Sequence, residues 1–323
     1  MFEIITDTSA NLDCRWLEEN HIRVIPFHYY VGGQDCTCMD TGGFDGPAFY
    51  NAMRGGERVT TSQITPQAYI DVMRPLLEAG QDILFVGMSS GISGSYSQAE
   101  FAARDLREEF PERAIRLVDT LGASLGEGIF VIMASAWRDE GVELDEIWQR
   151  LMKRRMDMCQ VFTVDDLKYL RNTGRLSNMA AIVGTMLNIK PLLKGNVEGR
   201  IVSFAKVPGR RRAIKGMAEQ YEKMVRDADQ QTIGIAHADC QADVDYLVDL
   251  LNRGAHPPKD ILTVMYEPVT GSHVGPGTLA LFFLGDPKFR GQPESVLTAI
   301  SQKVGEGREA LRNTLGSVTG KKI

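Results

Sequence analysis

"FVGMSSGISGSYSQAEFAARDL", Phe85–Leu106, runs from an apolar strand through six small residues into an amphipathic helix. The strand reaches back through "DILFVGM" (Asp82–Met88), and a second one, "AIRLVD" (Ala114–Asp119), follows the helix. Ahead of them "EIIT" (Glu3–Thr6) ends in the polar turn Asp7, Thr8, Ser9 and Asn11; behind them lies the long helix "GASLGEGIFVIMASAWRDEG" (Gly122–Gly141). Strand and helix in alternation predict an α/β domain, a parallel sheet with helices on both faces. Ligands of such sheets sit beyond the carboxyl ends of the strands, where Asp7, Ser89–Ser95 and Asp119 fall. "IRVIPFHYYVGGQ" (Ile22–Gln34) reads as one further strand, its proline marking an edge or an irregularity and its Gly-Gly a turn.

The pattern changes after about Cys159. A hairpin-like "KPLLKGNVEGRIVSFAKV" (Lys190–Val207) is followed by a helix from about Arg211 and by strands "TIGIAH", "ILTVMYEPV" and "TLALFFLG". This predicts a second, α+β domain with a mixed sheet. The expected organisation is residues 1–158, 159–285, and a helical tail over 286–323.

Composition narrows the classes. Of 323 residues 43% are hydrophobic and 24% charged, which fits a folded globular chain. A net charge of -6 argues against general nucleic-acid affinity. Five scattered cysteines form no disulfide framework and fit a reducing compartment. No leader and no apolar run long enough to cross a bilayer is visible, so the expectation is a cytoplasmic protein without stable membrane insertion. Cys36-Thr-Cys38 lacks a second pair, and neither H-E-x-x-H nor a strand-borne G-x-G-x-x-G occurs, so no metal or nucleotide cofactor is expected.

Several segments carry chemistry. The turn at Ser89–Ser95 offers backbone N–H groups and hydroxyls beside a helix N-terminus, a setting that favours an anion. Its "GMSSG" also matches G-x-S-x-G, which would make Ser89, or Ser93, a hydrolytic nucleophile with His273 as base. The intervening "ISG" delays the helix that a nucleophile elbow enters at once. "VTTSQITP" (Val59–Pro66) clusters four hydrogen-bonding side chains ahead of a helix capped by Thr65. "VTGSHVGPG" (Val269–Gly277) places His273 in what reads as a rigid loop between strands. "VDDLKYLRNTGRL" (Val164–Leu176) leaves Arg175 at a helix end, and "MAAIVGTMLNI" (Met179–Ile189) is apolar almost all round, a core helix or a cavity wall. Arg210, Arg211 and Arg212 open a helix against its macrodipole, which suggests a docking patch for an acidic partner.

Taken together, "DTSANL" (Asp7–Leu12), "TSQITP" (Thr61–Pro66), "SSGISGSYSQA" (Ser89–Ala99) and "TGSHVGPG" (Thr270–Gly277) resemble the DegV family, as do "VDDLKYLRNTGRLS" and "KPLLKGNVEGRI". The likeness covers about residues 1–285. It implies a two-domain, non-enzymatic carrier whose apolar tunnel holds one long-chain fatty acid. It further implies similarity to the acyl-binding subunit of bacterial fatty acid kinase, whose partner, a dihydroxyacetone-kinase-like subunit, converts the bound carboxylate to an acyl phosphate. The family's carboxylate contacts map onto Thr61 with Ser62, Ser93 with the Gly94 backbone, and His273. Arg171 and Arg175 resemble its exposed arginines near the pocket mouth, contacts for phosphate or kinase. Ile64 stands where the family usually has proline, and "DTSANL" lacks the second acid of its usual motif. A phosphotransfer enzyme acting on a small keto-sugar is a further reading, at odds with the long apolar segments.

Overall fold

The computed structural model describes residues 2–177 and 188–291. Along the chain come β1 (Phe2–Asp7), α1 (Cys14–Glu19), β2 (Ile22–Ile25), β3 (His28–Val31), β4 (Gln34–Cys36), α2 (Gly46–Arg54), β5 (Val59–Ser62), α3 (Pro66–Glu78), β6 (Asp82–Gly87), α4 (Ser95–Glu109), β7 (Ile115–Asp119), α5 (Leu125–Asp139) and α6 (Leu144–Arg154). Then follow β8 (Met158–Thr163), α7 (Lys168–Asn172), β9 (Ile189–Gly195), β10 (Ile201–Pro208), α8 (Arg210–Met224), β11 (Thr232–His237), α9 (Gln241–Asn252), β12 (Asp260–Met265), α10 (Pro268–Val274) and β13 (Leu279–Leu284).

Strands β2-β1-β6-β7 form the expected parallel sheet. Successive residues of a strand face opposite sides, and here they enter different cores. Ile4, Leu84 and Val118 pack with α5 and α6, whereas Ile5, Phe85 and Leu117 pack with Tyr69 and Met73 of α3 and Ala99 and Ala103 of α4. Helices therefore cover both faces. The expected mixed sheet is also present, in the order β10-β9-β8-β13-β11-β12, antiparallel except for the β11–β12 pair. Helix α5 touches β1 and β6 of the first sheet and β8, β11 and β13 of the second. Its apolar run is wide because it is covered from two sides.

Two local readings are corrected. "IRVIPFHYYVGGQ" is not one strand: Pro26 separates β2, in the parallel sheet, from β3, which joins β4 and β5 in a small antiparallel sheet. A proline has no N–H for the ladder, so the chain changes sheets there. The loop expected around His273 is the helix α10, opened by Pro268 at its first turn and capped by the Glu267 carboxylate, which accepts the N–H groups of Val269 and Thr270 at 2.6 Å each. Of the arginines that open α8, Arg211 and Arg212 are exposed, while Arg210 is largely held within the chain. Arg210 Nε donates to Asp243 at 2.9 Å, and the Arg211 guanidinium lies 4.4 Å from the Tyr246 ring centre. Of the apolar segment Met179–Ile189, residues 179–187 lie outside the described residues, as does the expected helical tail from 292 onward.

Candidate ligand-binding site

One cavity of about 220 Å³ receives Thr61 and Ser62 from β5, Ser93 and Gly94 from the turn before α4, and His273 from α10. Pairing of β5 with β3 sets Thr61 opposite Tyr29. The Thr61 hydroxyl meets His273 Nε2 at 2.8 Å across 212 residues of sequence. His273 Nδ1 is buried without a partner among the described residues. Burial, with the Arg175 guanidinium adding to it, pushes the His273 imidazole down to about 4, so it is neutral at physiological pH.

The serine turn is ordered by its own backbone. Ser93 N–H donates to Ser89 O at 3.1 Å, Ser95 N–H donates to Ser93 Oγ at 3.2 Å, and Ser93 Oγ donates to Ser95 Oγ at 3.0 Å. Gly94 is the N-cap of α4 and supplies no side chain to satisfy the helix's first N–H groups. A Cβ at this position would lie 2.2 Å from Gln63 Oε1, so a side chain here would make Gln63 swing aside. The fifteen-residue helix α4 thus starts at the cavity, with Gly94 in the lining and the positive end of its dipole towards it, while Ser93 Oγ takes the Ser95 N–H. Ser89, the residue a nucleophile elbow would raise, is fully buried and donates to Gly199 O at 2.9 Å. No hydrogen bond among the described residues joins Ser89 or Ser93 to His273.

The two arginines separate. Arg171 is exposed on α7 and does not line the cavity. Arg175 is half-buried and does line it, with Nε donating to Ile92 O at 3.3 Å and Nη1 to Thr173 O at 2.5 Å. The Arg175 charge also acts on His273, so this arginine, expected to be exposed near the mouth, lies beside the imidazole within the lining. Phe162 and Phe282 of the mixed sheet, Val269 of α10, and Phe27, Met88 and Ile92 from connections contribute to the apolar wall. Leu121–Gly122–Ala123 and Gln160, a polar residue inside a mostly apolar strand, also line the cavity, and no motif in the sequence points to them.

Buried acids brace the site from beneath. Burial pushes the Glu267 carboxyl, the cap of α10, up to about 7. Asn11 ties that cap to the first sheet: its amide oxygen accepts Glu267 N–H at 3.1 Å and its amide nitrogen donates to Met265 O at 2.9 Å. Under the serine turn, Ser9 Oγ lies 2.5 Å from Asp7 Oδ1 and 2.6 Å from Glu127 Oε2. One hydroxyl hydrogen serves only one of these contacts, so a carboxyl hydrogen must fill the other. Asp7 already accepts N–H groups from Ser9 and Met88, which assigns the proton to Glu127. Burial and the neighbouring Asp7 charge likewise hold Glu127 well above the usual carboxylate range, while burial pushes Asp7 up to about 6.

Residues 1–286 match the family described as "Uncharacterised protein, DegV family COG1307". The chain belongs to the DegV family. A DegV domain-containing protein of Clostridium perfringens is 36% identical over 287 residues, 89% of this chain and 98% of the relative. One from Streptococcus pyogenes is 34% identical, over 88% of this chain and 98% of its own. Among solved structures, a DegV protein of Thermus thermophilus described by its fatty acid binding superposes with a TM-score of 0.78 at 27% identity, covering 88% of this chain and 99% of its own. A fatty-acid-binding DegV protein of Streptococcus agalactiae gives 0.77 at 29% identity, with the same coverage of both chains.

Proposed function

We infer that this DegV protein binds a long-chain fatty acid, holding the carboxylate at Thr61, Ser62, Ser93, Gly94 and His273 and the chain along the apolar wall. The observation that carries this reading is the meeting, in one cavity, of Thr61, His273, Ser93 and the start of α4 with a mostly apolar lining. With its hydrogen on Nε2, His273 donates to Thr61 Oγ1 and leaves the threonine hydrogen for the ligand. Arg175 adds a positive charge near the imidazole, so a carboxylate entering this end meets both donors and a cation. Each methylene removed from water contributes about 0.8 kcal/mol, so ten contribute about 8 kcal/mol, enough for micromolar binding before ordering costs. The cavity is smaller than the ~300–1,000 Å³ usual for small-molecule sites. A long chain therefore displaces flexible lining side chains such as Met88 as it enters.

The finer reading is a carrier that offers the bound carboxyl to a dihydroxyacetone-kinase-like partner for acyl-phosphate formation in the cytoplasm, with exposed Arg171 and half-buried Arg175 at the docking face. Among the described residues no helix is long and apolar enough to cross a membrane, and no group of three metal-binding side chains occurs. Native mass spectrometry of the purified chain, followed by delipidation and titration with stearic acid, tests the binding step. A one-to-one complex is expected, weakened about tenfold or more by Thr61→Val and by Ser93→Ala, since each variant removes a hydrogen bond to a charged group. A delipidated protein that takes up no fatty acid refutes the proposal.

A further inference from the structure

Gln160 stands in the middle of β8, between Cys159 and Val161, with Phe282 opposite it on β13. It is nine-tenths buried and lines the cavity. A polar side chain at the centre of a sheet is costly unless both ends of its amide are satisfied. Only one end is. Gln160 Nε2 donates to Leu121 O at 3.0 Å, whereas Oε1 receives no hydrogen bond from a described residue. The orientation is fixed, because turning the amide over would set its oxygen against the Leu121 carbonyl. Leu121 O needs no help from Gln160 either, since the buried Arg290 guanidinium also donates to it, at 2.6 Å. Glycines at 126 and 122 leave the amide oxygen in this position: a Cβ there would come within 2.7 Å and 3.2 Å of it. The cavity lining thus includes, beside Phe162 and Phe282, an acceptor with no partner among the described residues.

We propose that Gln160 reads a hydroxyl group on the ligand's chain, so that the preferred occupant is a hydroxylated long-chain fatty acid. This rests on the fatty-acid reading above. A neutral hydroxyl is the donor that an acyl chain carries into an apolar cavity at least cost, and Oε1 is an acceptor only. A hydroxyl placed opposite Gln160 is paired on burial; one placed elsewhere along the chain is buried unpaired.

Delipidated full-length protein is titrated by calorimetry with stearic acid and with hydroxystearic acids substituted at successive chain positions. One positional isomer is expected to bind at least as tightly as stearic acid, within about threefold, and the others about tenfold or more weakly. In Gln160→Met, close in shape but without the acceptor, the affinity ratio of the matched isomer to stearic acid is expected to fall about tenfold. Circular dichroism and the melting midpoint check that the variant folds, and the wild-type isomer series stands without it. Uniform weakening of all isomers, or a matched preference that survives in Gln160→Met, overturns the proposal while leaving fatty-acid binding intact. Failure to bind stearic and hydroxystearic acids alike overturns the fatty-acid reading itself.

Discussion

Replacing His273 by glutamine removes one titrating group from the polar end of the cavity, and the structure sets how stability should respond to pH. In the folded chain the imidazole gains its proton only near pH 4; in the unfolded chain it does so at its ordinary 6.5. Between these values the unfolded state carries a proton that the folded state refuses. Stability is therefore complete above about pH 6.5 and is lost as pH falls towards 4. At about 1.4 kcal/mol per pH unit, the wild type should lose about 3 kcal/mol relative to His273→Gln between pH 7 and pH 4. Asp7 and Glu267 titrate in the same window with the opposite sign, because burial raises both. They are present in both proteins and cancel in the difference. Urea unfolding of ligand-free wild type and variant at pH 7, 6, 5 and 4 measures that difference directly. A gap that changes by less than about 0.5 kcal/mol across the range would show that the imidazole is not held neutral by its surroundings.

Two further substitutions probe the buried supports. Glu127→Gln supplies without a proton the hydrogen that Glu127 must hold against solution, so its melting midpoint should rise above that of the wild type as pH increases from 4.5 to 8; an equal gap at both ends of that range contradicts the assignment. Arg290 is fully buried and donates to the carbonyls of Leu121, Asn196, Met158 and Arg155. Arg290→Ala removes the one donor that these four carbonyls share, leaving Leu121 O to Gln160 and Asn196 O to the Gly199 N–H, and should cost about 3 kcal/mol or more in urea unfolding, whereas a loss below about 1 kcal/mol would mean that solvent replaces the guanidinium.

Much of the architecture was legible because it is local. Runs such as "DILFVGM" and "AIRLVD" lie in β6 and β7, and Thr65 caps α3 as read. The small antiparallel sheet was not legible, since the pairing of His28 with Ser62 joins distant segments and leaves no period in either. The signals that make α10 a helix, Glu267 followed by Pro268, were present in the sequence but were outweighed by the glycines around His273. The convergence of Thr61 on His273 came from family resemblance; no spacing rule joins residues 212 positions apart. Arg175 looked like the end of an exposed helix because its burial depends on the Ile92 carbonyl, contributed by another part of the chain. Gln160 went unnoticed because one polar residue in an apolar run reads as a strand boundary, and only the sheet shows it at the centre.

The Arg290 guanidinium has a consequence for how the chain comes to be folded during synthesis. Its contact with Leu121 spans 169 residues, and the same side chain holds the start of β8 and the β9–β10 turn. While the ribosome is still translating residues before 290, those carbonyls lack the donor that ties them to one another. Every strand of both sheets has been synthesised by then, so the corner that shelters Gln160 receives this tie only from the final stretch of the folded body.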